Sequence, residues 1–247
     1  MAEAKTLDPQ KYGEQVNVLS VLSYHKLQDV NKLKEALETL QKENPSAVAR
    51  VPDVIPAWLG LQAYGMKDLE TADKYMTWAT QNDQLQNVKK VIWRNLAKVR
   101  LALKKYDRAL VASNNFLKDE DQPYRRADGM LDKASILLGL GKYADARKTA
   151  EEALALGVEG PLMASLKIVL GDISYAEKKF DEAAKYYGVT AELFVNDAEL
   201  KPKALFKAAE ALDKAGRKSE ASQYRARLQK EFPDWKQDDE SLPPDAR

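Results

Sequence analysis

Small residues recur along this sequence at a nearly constant interval. Six alanines are separated by 36, 37, 37, 37 and 38 residues, and they mark a repeat. The residue three positions before the marker is bulky in five of the six cases, and the residue twelve positions before it is small in five of the six. A period of about 20–50 residues is typical of arrays in which each repeat packs against its neighbours. The sequence therefore predicts six repeats, marked by Ala36, Ala72, Ala109, Ala146, Ala183 and Ala221.

Each repeat is predicted to consist of two helices. Ala146, Ala150 and Ala153 follow one another at i, i+4 and i+7, which places three small side chains on one face of a helix. Gly141, five residues before the marker, indicates the turn that ends the preceding helix. Prolines fall between repeats, where proline can open a helix but would break one in its interior. No stretch alternates as a strand would, so the predicted fold is all-α.

Composition narrows the class of partner. The 39 basic and 38 acidic residues nearly cancel, which argues against a nucleic-acid or anionic-membrane binder. The chain has no cysteine, hence no disulfide and no thiolate zinc site. No apolar run reaches the roughly 18 residues that cross a bilayer, and residues 1–6 contain no apolar signal core. The sequence is compatible with a cytoplasmic protein and, if a targeting segment was removed, with a periplasmic one.

The sequence offers no catalytic, metal-binding or cofactor-binding constellation. The single histidine, His25, has no second histidine or cysteine with which to bind a metal. Residues 139–142, GLGK, lack the first glycine and the final Ser or Thr of a phosphate-binding loop. The acidic run at 118–122 lacks the glycine and the ligand spacing of a calcium loop. We therefore expect a protein that is not an enzyme and that needs no metal or cofactor.

The matched positions of the repeats resemble the tetratricopeptide repeat (TPR). Residues 93–97 carry the W-x-x-L-A pattern, residues 59–60 and 170–171 carry Leu-Gly, and Pro233 follows the last marker by twelve residues. The period departs from the family, because it is 37 residues rather than about 34. The resemblance covers residues 17–233.

This resemblance implies the fold and the domain organisation. The expected fold is a right-handed α-solenoid of about six helix-turn-helix repeats. An N-terminal segment is expected at residues 1–16, a single superhelical domain at 17–233 and a flexible acidic tail at 234–247. Residues 191–235 further resemble bacterial envelope TPR proteins, among them the Tol–Pal-associated periplasmic protein and the outer-membrane assembly lipoprotein.

The resemblance also implies a class of function. Stacked helical pairs form a long concave surface, and in this family that surface binds proteins or peptides. We therefore expect a non-catalytic interaction scaffold whose groove binds a protein or peptide partner, with no nucleic acid and no membrane span. The alternative is a structural, self-associating subunit of a larger envelope assembly, which would make the protein a homo-oligomer.

In the family, the groove is lined by the second, fifth, ninth and twelfth positions of each first helix. With the marker counted as position twenty, Val21 and His25 stand at the fifth and ninth positions of repeat one. The family's chaperone-tail receptors would have Lys and Asn there, so that ligand class is not expected. The alternative for all these positions is that they only pack first helix against first helix. The expected partner-binding residues are Ala57, Leu61, Tyr64, Arg94, Lys98, Leu101, Leu131, Leu138, Ile168, Asp172, Tyr175, Phe206 and Glu210.

Overall fold

A computed structural model describes residues 9–81, 86–193 and 197–237. Within these ranges the chain forms helices and turns, so the predicted all-α fold is confirmed. Tertiary contacts divide the chain into two compact units, Met1–Lys105 (unit 1) and Tyr106–Arg247 (unit 2). The single domain expected over residues 17–233 stays a prediction.

The helices of each unit pack against their neighbours in the sequence. Unit 1 contains α1 Pro9–Lys26, α2 Val30–Glu43, a 3-10 helix Pro45–Arg50, α3 Val54–Gly65, α4 Leu69–Ala79 and α5 Gln86–Ala102. Unit 2 contains α6 Tyr106–Lys118, α7 Pro123–Gly139, α8 Tyr143–Ala155, α9 Gly160–Ala176, α10 Phe180–Leu193, α11 Leu200–Lys214 and α12 Lys218–Glu231. The odd-numbered helices α1, α3, α5, α7, α9 and α11 are the first helices of the six repeats.

The first helix of each repeat ends in the same hydrogen-bonded turn. One residue in each turn has a positive φ, between 54° and 79°. Its N–H donates to the carbonyl three residues earlier, and the next N–H donates to the carbonyl five residues earlier. This pattern satisfies carbonyls that the end of a helix would otherwise leave unpaired. In repeats two to six the turn residue lies five positions before the marker alanine, which confirms the predicted helix ends. The six turn residues are Gln28, Lys67, Lys104, Gly141, Lys178 and Gly216.

The first repeat departs from the expected register by three residues. Its turn residue, Gln28, lies five positions before Leu33 and not five before Ala36. Asp29 caps the following helix through its side chain, and Asp68 caps the corresponding helix of repeat two. Leu33 is fully buried, whereas Ala36 is half-buried. The marker of repeat one is therefore Leu33, a leucine at the place that alanine fills in the other repeats.

Small residues bring the two helices of a repeat close together. The five markers of repeats two to six are fully buried. Gly60 of α3 lies so near α4 that a Cβ atom there would come 2.9 Å from the backbone nitrogen of Met76. Gly171 of α9 faces Tyr187 in the same way, with 2.4 Å from such a Cβ to the ring carbon Cε1. In repeat one this position is Val21 in the corrected register, and it is also buried.

Ion pairs connect the second helices of neighbouring repeats. In unit 1, Lys74 donates to the carboxylate of Glu38 at 3.2 Å. In unit 2, Arg217, which directly precedes α12, donates to the carboxylate of Asp181 of α10 at 2.8 Å. The partners in both pairs stand 36 residues apart, close to the period of about 37 residues. Because exposed pairs of this kind contribute little stability, we interpret them as aligning neighbouring repeats.

Three expectations concern the termini and the membrane. No helix in the described ranges is long and apolar enough to cross a membrane. Residues 1–8 of the expected N-terminal segment lie outside the described residues, as do residues 238–247 of the expected tail. Trp235, near the start of that tail, is described, and its ring centroid lies 5.5 Å from that of Phe206.

Candidate partner-binding surface

The first helices α1 and α3 of unit 1 present apolar side chains to solvent. Leu19 and Leu22 of α1 are 52% and 37% exposed, and Val54 of α3 is 44% exposed. Leu61 and Tyr64, further along α3, are half-buried. We call these five residues the apolar surface of unit 1.

The corrected register explains why these side chains share one surface. With Leu33 counted as position twenty, Leu22 is the ninth residue of repeat one, equivalent to Leu61 in repeat two. Leu19 lies three residues before Leu22, and Val54 lies seven residues before Leu61. Residues three or seven apart lie on the same face of a helix. Leu22 and Leu61 are therefore equivalent positions of two neighbouring first helices, and Leu19 and Val54 each lie on the same side of their own helix as that residue.

An aromatic contact joins α1 to α3 beside this surface. The rings of His25 and Trp58 meet edge to face, with centroids 5.4 Å apart and planes at 86°. Trp58 also packs against the hydrophobic core of unit 1, which includes Val21, Leu37 and Leu59. The contact therefore ties α1 and α3 to a shared core.

A buried ion-pair network holds α5 against α4. The carboxylate of Asp73 accepts hydrogen bonds from Nε of Arg100 at 2.7 Å and from Nζ of Lys105 at 3.0 Å. Arg100 also donates to the hydroxyl of Thr77 at 2.7 Å. Burial of Asp73 opposes its ionisation, but the two cations outweigh burial and hold the pKa of the carboxyl below its ordinary value. The network fixes the orientation of α5, which also contacts α3.

The other partner-binding residues that were expected in unit 1 are half-buried or buried. Arg94, Lys98 and Leu101 of α5 are half-buried. Ala57 of α3 is 1% exposed and therefore offers no surface to a partner. Val91 of α5, which was not among the expected residues, is 40% exposed.

In unit 2, Asp172 is part of the interior. Its Oδ1 accepts a hydrogen bond from Nζ of Lys207 at 2.6 Å and another from the hydroxyl of Tyr187 at 2.7 Å. Lys207 is fully buried, and Asp172 is 6% exposed. The pair joins α9 to α11, so the carboxylate that was expected in the groove connects two first helices instead.

Two other expected residues of α9 are also buried. Ile168 is 5% exposed and Tyr175 is 1% exposed. Both belong to a core cluster that includes Ala208 and Leu212 of α11. For these residues and for Asp172, the structure supports the alternative that the side chains pack first helix against first helix.

The other expected residues of unit 2 are half-buried. Leu131 and Leu138 lie on α7. Phe206 of α11 packs against Trp235, as described above. Glu210 of α11 accepts a hydrogen bond from Arg225 of α12 at 2.8 Å. The carboxylates of Asp213 and Glu210 raise the pKa of this guanidinium, Asp213 more strongly.

Leu19, Leu22 and Val54 were not among the partner-binding residues expected from the sequence. Leu22 was missed because Ala36 set the register of repeat one, which placed the buried Val21 in the groove. Leu19 stands at the sixth position in the corrected register, which is not one of the family's groove positions. One local signal could have corrected the register. Asp29 stands four residues before Leu33, as Asp68 does before the second marker, and Asp is a preferred cap at the start of a helix.

The chemistry available at this surface is apolar contact. Its four aliphatic side chains and the ring of Tyr64 can bury area against a partner, and the phenol of Tyr64 is the only polar side-chain group among the five residues. In the part of the chain that the structure describes, no group of three His, Cys, Asp or Glu side chains is placed to hold a metal ion.

Comparison with known families agrees with the repeat pattern. The family profile described as "Tetratricopeptide repeat" matches residues 131–192, which span α7 to α10. No curated protein matches the chain by sequence. The family match over residues 131–192 and the helical hairpins of the described chain agree with the resemblance: this part of the chain matches the tetratricopeptide repeat, and the described helices form hairpins of the same kind.

Solved structures share the fold at low sequence identity. The pilF protein of Pseudomonas aeruginosa is 18% identical, the match covers 92% of this chain and 96% of that one, and the TM-score is 0.55. The apo quorum sensor NprR of B. thuringiensis is 17% identical, with 90% and 66% covered and a TM-score of 0.63. A putative kinesin light chain from Podospora anserina with nearly identical TPR-like repeats is 12% identical, with 71% and 92% covered and a TM-score of 0.58. At these identities the likeness concerns the fold alone.

Proposed function

We propose that this protein is a non-catalytic interaction scaffold and that the apolar surface of unit 1 binds an apolar segment of a protein partner. The observation that carries the proposal is the exposure of Leu19, Leu22 and Val54 on adjacent first helices. Exposed apolar side chains that lie together on a surface mark interaction sites more often than isolated ones do.

The contrast with unit 2 supports this choice of surface. In unit 2 the expected residues Ile168, Asp172 and Tyr175 of α9 are buried, and the half-buried Phe206 packs against Trp235. In unit 1 the equivalent positions Leu22, Leu61 and Tyr64 remain accessible in part. Tyr64 adds an aromatic anchor, and aromatic residues carry a large share of the binding energy at protein interfaces.

The partner class follows from the chemistry of the surface. An amphipathic helix or an extended segment with two or three large apolar residues would bury the leucines and Tyr64 together. Such binding needs no cofactor, and the fold belongs to a family that generally acts through interactions. The resemblance to envelope proteins stays a prediction and assigns no partner.

The test is capture of the partner by the purified chain, followed by substitution. A protein retained by the wild type is identified and its affinity measured against Leu22→Ser and Tyr64→Ser. We expect each variant to bind at least about tenfold more weakly, as loss of an interface anchor does. Val111→Ser on α6 is the matched control, because Val111 is 55% exposed and lies outside the surface. Unchanged affinity in both surface variants, with normal unfolding curves, would refute the proposal.

A further inference from the structure

The outer face of α10 in unit 2 carries a second accessible apolar region. Val189 is 40% exposed and Leu193 is 55% exposed. A shallow groove of about 380 Å³ runs beside them, between α10 and α12, and Tyr224 of α12 forms its far wall. Its floor on α10 contains Ala184 and Gly188.

The floor of this groove is low because two small residues stand four positions apart on α10. A Cβ atom at Gly188 would come 2.7 Å from the hydroxyl of Tyr224, so a larger residue would displace that side chain. The spacing between packed helices depends on the side chains at their contact. Gly188 therefore accommodates Tyr224 of α12, and the side chains that α10 leaves exposed beside it are Lys185, Val189, Glu192 and Leu193.

The positive and the negative charge on this face are placed so that two copies of the face complement each other. Lys185 and Glu192 both line the groove, and Val189 lies between them. The two charged residues are seven positions apart, about 10 Å along a helix, and their midpoint falls between Gly188 and Val189. If two copies of α10 pack antiparallel about that midpoint, Lys185 of each copy faces Glu192 of the other. A parallel arrangement would place like charges opposite each other.

From this self-complementarity we propose that a second copy of the chain docks here, with α10 packed antiparallel against α10 about a two-fold axis. The same patch serves both copies, as in the isologous interfaces of most dimers. Val189 and Leu193 supply the apolar contact, and two Lys185–Glu192 pairs fix the orientation. Glu192 also accepts a hydrogen bond from Arg227 of its own chain, and this bond holds its carboxylate at the edge of the groove. The proposal goes beyond the binding of a partner by unit 1 and does not depend on it.

Sedimentation of the whole chain tests this proposal. One helix pair with its flanks buries little area, so we expect a weak dimer that forms between about 10 μM and 1 mM. Lys185→Glu alone and Glu192→Lys alone should each weaken association at least about tenfold, because each places two like-charged pairs at the two-fold axis. Both positions are exposed, and circular dichroism and thermal unfolding of each variant provide the folding control.

The decisive experiment mixes the two variants, Lys185→Glu and Glu192→Lys, before sedimentation. A heterodimer of Lys185→Glu with Glu192→Lys again has two opposite-charge pairs, so the mixture should associate as the wild type does. A wild type that stays monomeric over the whole range would overturn the proposal. Association that both single variants retain, or that the mixture does not restore, would overturn it too, because another surface would then hold the copies together.

Discussion

Gly60 shows how one residue sets the distance between two helices. It lies where α3 packs against α4, and a Cβ atom at this position would come 2.7 Å from Cγ of Met76 and 2.9 Å from its backbone nitrogen. The side chain of Met76 can turn away, but the backbone nitrogen belongs to α4 and can move only with that helix. The family's preference for a small residue here is therefore a requirement of packing.

We predict that Gly60→Ala lowers the free energy of unfolding by about 1–3 kcal/mol, the usual effect of overpacking a filled contact. Gly65→Ala in the same helix is the matched control, since a Cβ atom there meets nothing within 4 Å. Alanine favours helix by up to about 1 kcal/mol over glycine, so the control should be neutral or stabilising. Urea unfolding of both variants measures the difference. Equal effects at the two positions would show that α3 and α4 are not in close contact at Gly60.

At the scale of helices, polar groups as well as apolar ones fix the packing of neighbours. Lys207 and Asp172 join α9 to α11 in a buried environment, and Tyr187 of α10 donates to the same carboxylate. A buried pair of this kind need not add net stability, but removal of one partner leaves an uncompensated charge. The network therefore gives α9, α10 and α11 a defined relative position.

Lys207→Met should destabilise the protein by about 3–5 kcal/mol, because Asp172 would stay buried without its cationic partner. Adding Asp172→Asn removes that charge and keeps an acceptor for the hydroxyl of Tyr187, so the double variant should recover most of the loss. Thermal and urea unfolding report both effects. A double variant as unstable as Lys207→Met would mean that lost packing of the lysine, and not the buried charge, causes the effect.

The network around Asp73 predicts a dependence of stability on pH. The pKa of Asp73 is lowered in the folded protein, so its ionised form stabilises the fold above the unfolded pKa of about 3.9, and this contribution is lost as the pH falls through the lower folded pKa. Asp73→Asn should cost about 3–5 kcal/mol near pH 7. The difference in unfolding free energy between wild type and variant should narrow below about pH 4. A difference that stays constant from pH 7 to pH 3 would contradict the assigned ion pair.

The repeats were predictable because their spacing follows from local requirements. A small marker residue recurs in repeats two to six and a turn residue recurs in all six, and both can be recognised in a short window of sequence. The register of the first repeat was wrongly predicted because Leu33 stands at the place of the small marker and Ala36 lies three residues after it. The burial of Asp172 could not be predicted in this way, since Lys207 stands 35 residues away and meets it only through tertiary packing.

For the whole molecule, the two units differ in what their first helices leave exposed. Unit 1 has Leu19 and Leu22 at its surface, whereas the first-helix positions of α9 in unit 2 are buried. In unit 2 the accessible apolar side chains of α10 lie instead on a second helix, at Val189 and Leu193. Our proposals therefore assign binding of another protein to unit 1 and binding of a second copy to unit 2.

The binding surface can be tested directly by photo-crosslinking in the cells from which the gene comes. A photoreactive phenylalanine analogue replaces Leu22 or Leu61 in the apolar surface of unit 1, and Val111 on α6 serves as the exposed control. We predict that Leu22 and Leu61 give the same discrete adduct with another protein and that Val111 gives none. Absence of an adduct at both positions, or an equally strong one at Val111, would contradict binding at this surface.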